Sequence, residues 1–367
     1  MNEAYYYPFL KTKRGEAKAL LNLSAGVKAA IRPFFDVLAL DSQVTHPSQV
    51  QAHLTKQCGM IATGWKEQGP CYVDLYDIRP DARAERGVHP LQYVMSSLLA
   101  LNVNPIPVIG LGRDIAYQVA FRALMIEEPP AIAIRLEQED LLLHEGLADR
   151  VLELVSAIDA QDKPLHVIAD FRGMRGSGAS SGAADVLYEA LAEIRSLNPS
   201  CIVFAGSGMV DSMGVYKRDS VNRLPRIDYQ AWQALVLAGV RDVRYGDYGV
   251  VHPDYVDLDP RVIKPSAKIR YATAQEWLIV KGSSWRDDTS QHRRLAETLV
   301  ALPGFRGGDS WGGQYIVSAA GGRSTYGSLE TWVTIDQNAH TTFTTRSAVA
   351  ALVRAGVIAA APAGVTQ

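Results

Sequence analysis

The sequence predicts an α/β fold: an eight-stranded parallel β/α barrel of the TIM type, followed by a C-terminal α+β extension. Eight short apolar runs recur at intervals of roughly 25 to 40 residues, most too short for globular helices and rich in Val, Ile, Tyr and Phe. Between them lie stretches with apolar residues at three and four spacing, which read as crossover helices. The span of about 245 residues suits a closed barrel better than an open doubly wound sheet, the alternative arrangement of the same units.

The runs, in order, are residues 5–11 (YYYPFLK), 31–38 (IRPFFDVL), 71–78 (CYVDLYDI), 105–110 (PIPVIG), 131–137 (AIAIRLE), 165–172 (LHVIADFR), 201–206 (CIVFAG) and 242–249 (DVRYGDYG). Helical spacing is clearest after the fifth, where Leu147, Val151, Leu154, Val155 and Ile158 share one face. The Gly- and Ser-rich stretch 173–182 reads as a mobile loop over the barrel mouth, and the basic connection 206–228 as a second long loop on the same face. The barrel is expected to occupy residues 1–252 and the extension 253–367. In the extension, 253–265 is a Pro- and Asp-rich crossing segment and 268–282 is extended. Helices are expected around 295–302 and 347–355, with the whole packed on the barrel.

Composition narrows the class. A chain of 367 residues that is 47% hydrophobic can bury a large core, and a net charge of −2 supplies no bulk attraction to nucleic acid or anionic membranes. Cys58, Cys71 and Cys201 are unpaired by spacing and read as reduced core thiols. No apolar run approaches the roughly 18 residues of a membrane span, so a soluble cytoplasmic protein with no membrane partner is expected.

Barrels place their chemistry at the C-terminal ends of the strands. Side chains alternate along a strand, so one set faces the lumen. Where Ile132, Ile134 and Leu136 face the helices, Ala133, Arg135 and Glu137 face inward. In the sixth run His166, Ile168, Asp170 and Arg172 take the inward positions, and in the third Tyr72, Asp74 and Tyr76. The first two runs add Tyr7, Phe9 and Lys11, then Arg32, Phe34 and Asp36, and the last offers Asp247 by the parity of Tyr245.

The predicted lumen is therefore lined near its top by Lys11, Asp36, Asp74, Arg135, Glu137, Asp170, Arg172 and Asp247. Buried charges are costly unless paired. One reading is a structural ion-pair network. The other is a site in which Asp74, Glu137 and Asp170 act as acid, base or metal ligands while Lys11, Asp36, Arg135, Arg172 and Asp247 hold substrate. Gly206 and Ser207, with Gly208, stand where barrels bind phosphate through backbone N–H groups, or form a plain turn. A divalent cation is left open, since the residue types do not choose between metal and no metal. No two histidines stand at ligand-pair spacing, and no Walker loop or G-x-G-x-x-G fingerprint occurs. His166 reads as a hydrogen-bonded core histidine. Trp277, Trp285, Trp311 and Trp332 read as core of the extension, or as a partner or base-stacking platform.

Several segments carry a resemblance. Residues 6–20 (YYPFLKTKRGEAKAL), 31–37 (IRPFFDV), the AGS after Phe204, 244–249 (RYGDYG), 269–282 (IRYATAQEWLIVKG) and the stretch from Trp332 to His340 resemble the bacteriophage-type beta protein family, in order over nearly the whole chain. The resemblance implies a barrel-like protein connected with phage and host conflict, and brings no activity, cofactor or catalytic residue. One departure is Asn338-Ala339-His340 where the resemblance leads one to expect paired histidines, which withholds a role from His340.

Two functional classes follow. One is a phage- or defence-associated barrel enzyme, a phosphate-ester hydrolase or nuclease-like protein acting on a nucleotide or nucleic acid at the C-terminal face. The other is a non-catalytic recognition or scaffold subunit with a protein partner in a phage or defence complex.

Overall fold

The computed structural model describes residues 4–176, 178–254, 264–362 and 364–365, and the statements below concern these. β1 (Tyr6–Lys11), β2 (Phe34–Asp36), β3 (Cys71–Asp74), β4 (Pro105–Gly110), β5 (Ile132–Glu137), β6 (Leu165–Gly173) and β7 (Cys201–Ser207) run parallel in sequence order. After β8 (Ser220–Pro225) has left for another sheet, β9 (Val243–Asp247) pairs with both β7 and β1 and closes the barrel, with Tyr6 opposite Tyr245 and Pro8 opposite Asp247.

The crossovers supply α1 (Arg14–Leu21), α2 (Ala25–Ala30), α3 (Pro47–Trp65), α4 (Pro90–Ala100), α5 (Ile115–Ala123), α6 (Gln138–Leu142), α7 (Leu147–Ala157), α8 (Ala179–Ser196) and α9 (Ile227–Leu237). Local chemistry starts several of them. Asp114 accepts the Tyr117 N–H at 3.0 Å, and His89, just before Pro90, accepts the Leu91 N–H at 3.2 Å.

Alternation sorts the barrel into two apolar layers. Tyr6, Leu10, Phe35, Val73, Ile134 and Val167 pack under the helices, whereas Tyr7, Phe9, Phe34, Tyr72, Ala133 and Ile168 fill the lumen. His166 is the expected core histidine, its Nδ1 lying 2.8 Å from the Tyr72 hydroxyl. The three cysteines are free thiols.

The connection 206–228 is not simply a loop. Its end, β8, pairs antiparallel with β11 (Glu276–Ser284), which pairs with β10 (Ser266–Ala272), so barrel and extension share one three-stranded sheet. The stretch 173–182 is likewise only partly loop, because α8 begins at Ala179. The letters of 178–182, GASSG, match a nucleophile elbow, but an elbow needs a strand turning straight into the helix, and here β6 ends at Gly173. Most of the expected crossing segment, residues 255–263, lies outside the described residues, as does Ser177.

Beyond the sheet come α10 (His292–Val300), α11 (Trp311–Ala320) and α12 (Leu329–Arg354). The expected terminal helix is the last third of α12, a 26-residue helix buried on every side from Thr334 to Thr342. A helix without a solvent face has no amphipathic period, and its threonines bond back to carbonyls one turn earlier, as Thr345 does to Thr341 at 2.7 Å. Trp277 and Trp332 are buried core residues of this region, while Trp285 and Trp311 are half-buried. Among the described residues no helix is long and apolar enough to cross a membrane.

Candidate functional site at the barrel mouth

Arg135 stands on the barrel axis, about 1% exposed, and spends all five N–H donors. Nε and Nη2 donate to Asp170 Oδ2 (2.9 and 2.6 Å), Nη1 to Asp36 Oδ1 (3.0 Å) and Asp74 Oδ2 (2.7 Å), and Nη2 also to the Tyr248 hydroxyl (2.8 Å). The Tyr248 hydroxyl in turn donates to Asp170 Oδ2 at 2.5 Å. The outer oxygens are occupied too: Lys11 Nζ donates to Asp36 Oδ2 (3.0 Å), Arg113 Nη2 to Asp74 Oδ1 (2.5 Å) and the Arg172 N–H to Asp170 Oδ1 (2.9 Å).

Three carboxylates thus face three cations, and every carboxylate oxygen accepts from the protein. Burial alone pushes the Asp36 carboxyl up, yet Lys11 and Arg135 outweigh it and hold the group below the usual carboxylate range. The space a metal ion would share between these carboxylates is filled by a guanidinium. Among the described residues no cluster of three or more His, Cys, Asp or Glu is arranged to hold a metal.

Above this plug lies the accessible rim. Tyr76 carries three guanidinium groups around its ring, with Arg172, Arg135 and Arg113 at 4.5, 4.8 and 5.0 Å from the centroid. Its hydroxyl donates to Glu137 Oε2 at 3.1 Å. Lys11 also reaches the half-buried Asp77 at 2.7 Å. Arg172 has φ 47°, a left-handed backbone uncommon for a residue with a side chain. Its Nε and Nη2 hold the exposed Asp254, while its buried Nη1 has no partner among the described residues.

Lys11, Asp36, Asp74, Arg135 and Asp170 therefore converge as expected, and Glu137 and Arg172 stand on the rim above them. Two expectations need correction. Asp247 does share the parity of Tyr245, but that parity faces the helices. Gly246 takes the lumen position, where a Cβ would lie 2.9 Å from Phe9, and Tyr248 follows it inward. Gly206 and Ser207 are buried, and the phosphate-type amides are taken, Gly208 N–H by Asp228 Oδ1 (3.1 Å) and Met209 N–H by Ser207 Oγ (3.1 Å). Glu16, in the first turn of α1, is about 1% exposed, and among the described residues neither of its oxygens is hydrogen-bonded.

Asp247 instead anchors α12. It accepts from Tyr6 (2.7 Å), Tyr245 (2.8 Å), the Gly249 N–H (2.9 Å) and His340 Nε2 (3.0 Å), and Arg226 lies 3.6 Å away. His340 stacks on Trp277, with centroids 4.6 Å apart. Although burial raises the Asp247 carboxyl, His340 and Arg226 hold it well below the usual range; burial and the Asp247 charge push the neighbouring Asp228 up. Tyr245 touches both carboxyls but owns one proton. Its hydroxyl lies against Oδ2 of both Asp228 and Asp247, so the two carboxyls share a single phenolic proton.

Arg113, Asp77 and Tyr248 were missed at the mouth, as were Arg226, Asp228 and His340 in the second cluster. Alternation through RYGDYG carries a signal for Tyr248. Arg113 follows its strand in a loop, where period two says nothing.

Fold and site define a β/α-barrel protein whose lumen is plugged by an arginine-centred ion network beneath a cationic aromatic rim. The chain belongs to the Beta protein family, whose sequence profile matches residues 6–346. No curated protein matches it. Among solved structures it is similar to a mandelate racemase/muconate lactonizing protein from Herpetosiphon aurantiacus, with 10% identity and a TM-score of 0.36. That likeness covers 76% of this chain and 63% of the other, so this chain spans under two thirds of that protein's length. At this level the likeness carries no functional argument.

Proposed function

We propose that the barrel mouth recognises a phosphate-bearing ligand, a nucleotide or a nucleic-acid end, through Arg172 and Arg113 over the ring of Tyr76. The carrying observation is Arg172: a left-handed backbone at a strand end and a buried Nη1 with no partner among the described residues offer a donor to an anion's oxygen. Guanidinium groups receive phosphate oxygens, and an aromatic ring offers a stacking face. The phage setting implied by the family resemblance suits such a ligand.

If the mouth is catalytic, the proton-transfer group is Glu137, because Asp74 and Asp170 have no oxygen left and are positioning residues for Arg135 and Arg113. That same saturation favours a second reading, recognition without turnover.

The test is calorimetric titration with inorganic phosphate, nucleoside 5′-monophosphates and a 5′-phosphorylated oligonucleotide, on the parent chain and on Arg172→Ala. Binding that disappears in Arg172→Ala supports the reading. Failure of all three probes, or full binding by the variant, overturns it. Turnover lost in a folded Glu137→Gln variant assigns catalysis, and binding without turnover assigns recognition alone.

A further inference from the structure

We infer that the sector of the barrel wall formed by α4, α5 and α7 docks a protein segment that is apolar along its centre and basic at its margins. Among the described residues, fourteen large apolar side chains are exposed, and nine of them fall within residues 88–152, under a fifth of the chain. Monomers normally scatter such residues singly, so their concentration marks a contact surface.

The centre of the surface is α5 and the turn after it. Ile115, Val119, Arg122 and Ile126 follow one another at spacings of four, three and four, which puts them on one face. Ile115 is 72% exposed and Ile126 84%. Hollows of about 460 Å³, lined by Val119, Met125 and Ile126, and about 520 Å³, lined by Met95, Leu99 and Leu124, flank the same turn and share Ala123. These could seat the side chains of an incoming helix. The Arg122–Asp159 ion pair, at 2.5 Å, ties α5 to the end of α7, where Leu152 is exposed two turns before Asp159.

Charge selects the occupant. Glu127, Glu128, Glu145, Asp149 and Glu153 are exposed around the apolar stripe. Arg122 is committed to Asp159, and half-buried Arg150 donates to the carbonyls of Asp140 and Leu143. A second copy docked on the same face would set acid against acid, and an anionic membrane would be repelled likewise. A basic, apolar-centred segment meets both features.

The experiment uses a labelled amphipathic helix of leucine and lysine and a twin with glutamate for lysine, titrated by fluorescence anisotropy. The lysine peptide is expected to bind the parent chain more weakly as salt rises, to lose roughly tenfold or more in affinity for Ile126→Asp, and to be unaffected by Leu237→Asp on α9. Equal binding to Ile126→Asp or equal binding of the glutamate twin overturns the inference. So does a dimer in sedimentation, or adsorption to phosphatidylserine vesicles, that Ile126→Asp abolishes. None of these outcomes involves Arg172 or the mouth.

Discussion

Replacing Glu16 with glutamine should stabilise the protein, increasingly so as pH rises. Glu16 lies in the first turn of α1, fully buried, with both oxygens unpartnered. Burial pushes its carboxyl from 4.5 up to about 8, against the partial pull of Lys13, Lys11 and Arg270. Below pH 4.5 both folded and unfolded chains hold the proton, and Glu16 is neutral in the balance. Between 4.5 and 8 the unfolded chain releases it while the folded chain retains it, so folding is progressively disfavoured; above about 8 the cost levels off. One pKa unit is worth about 1.4 kcal/mol, which makes the cost about 2 kcal/mol at pH 6 and about 4 kcal/mol at pH 8. Glutamine has the shape of the protonated acid and removes this term. For a chain of this length about 4 kcal/mol corresponds to roughly 5 °C in Tm. Urea and thermal unfolding followed by far-UV circular dichroism at pH 5, 6 and 8 would measure it. A Glu16→Gln advantage that is constant across pH, or that shrinks on raising pH, would refute the reasoning. Asp336, raised by burial to about 6, contributes in the same direction over a narrower window.

Arg135→Met should leave three converging carboxylates without their shared cation, and denaturant titration should show a loss of at least about 3–5 kcal/mol or no folded protein at all. His340→Ala removes the donor that ties α12 to Asp247; expected are a loss of about 2–4 kcal/mol and faster amide hydrogen exchange in α12, with the strands of the barrel protected as before. Gly312→Ala would put a Cβ 2.4 Å from the Ile335 carbonyl and 3.0 Å from the Ala339 nitrogen, both backbone atoms, so α11 and α12 must separate. A Tm drop of several degrees should follow, and an unchanged Tm would contradict the close crossing.

The arginine plug explains why so many charges are tolerated in one lumen. Each of Asp36, Asp74 and Asp170 is costly alone, yet their oxygens and the donors of Lys11, Arg113, Arg135 and Arg172 match one for one or better. Such a network is weak evidence for stability over an apolar core of equal volume. What it does provide is a rigid floor under the rim of Tyr76, Glu137 and Arg172, where an incoming ligand would meet residues already held in place.

Alternation and spacing are local properties, and whatever depends on them was legible in the chain: the barrel, its strands, and the convergence of Lys11, Asp36, Asp74, Arg135 and Asp170. Parity in β9 was legible as well, but not its direction. Asp247 and Tyr245 alternate with Gly246 and Tyr248, and only the crowding of Gly246 against Phe9 decides which set enters the lumen. Tertiary structure alone decided that Arg113 and Tyr248 complete the ion network, that β8 leaves the barrel for the extension's sheet, and that α12 is buried on every side from Thr334 to Thr342. The reason is physical. A strand's two faces are written in consecutive residues, whereas the partner that satisfies a buried charge or edge arrives from anywhere in the chain, as His340 arrives at Asp247 from 93 residues away.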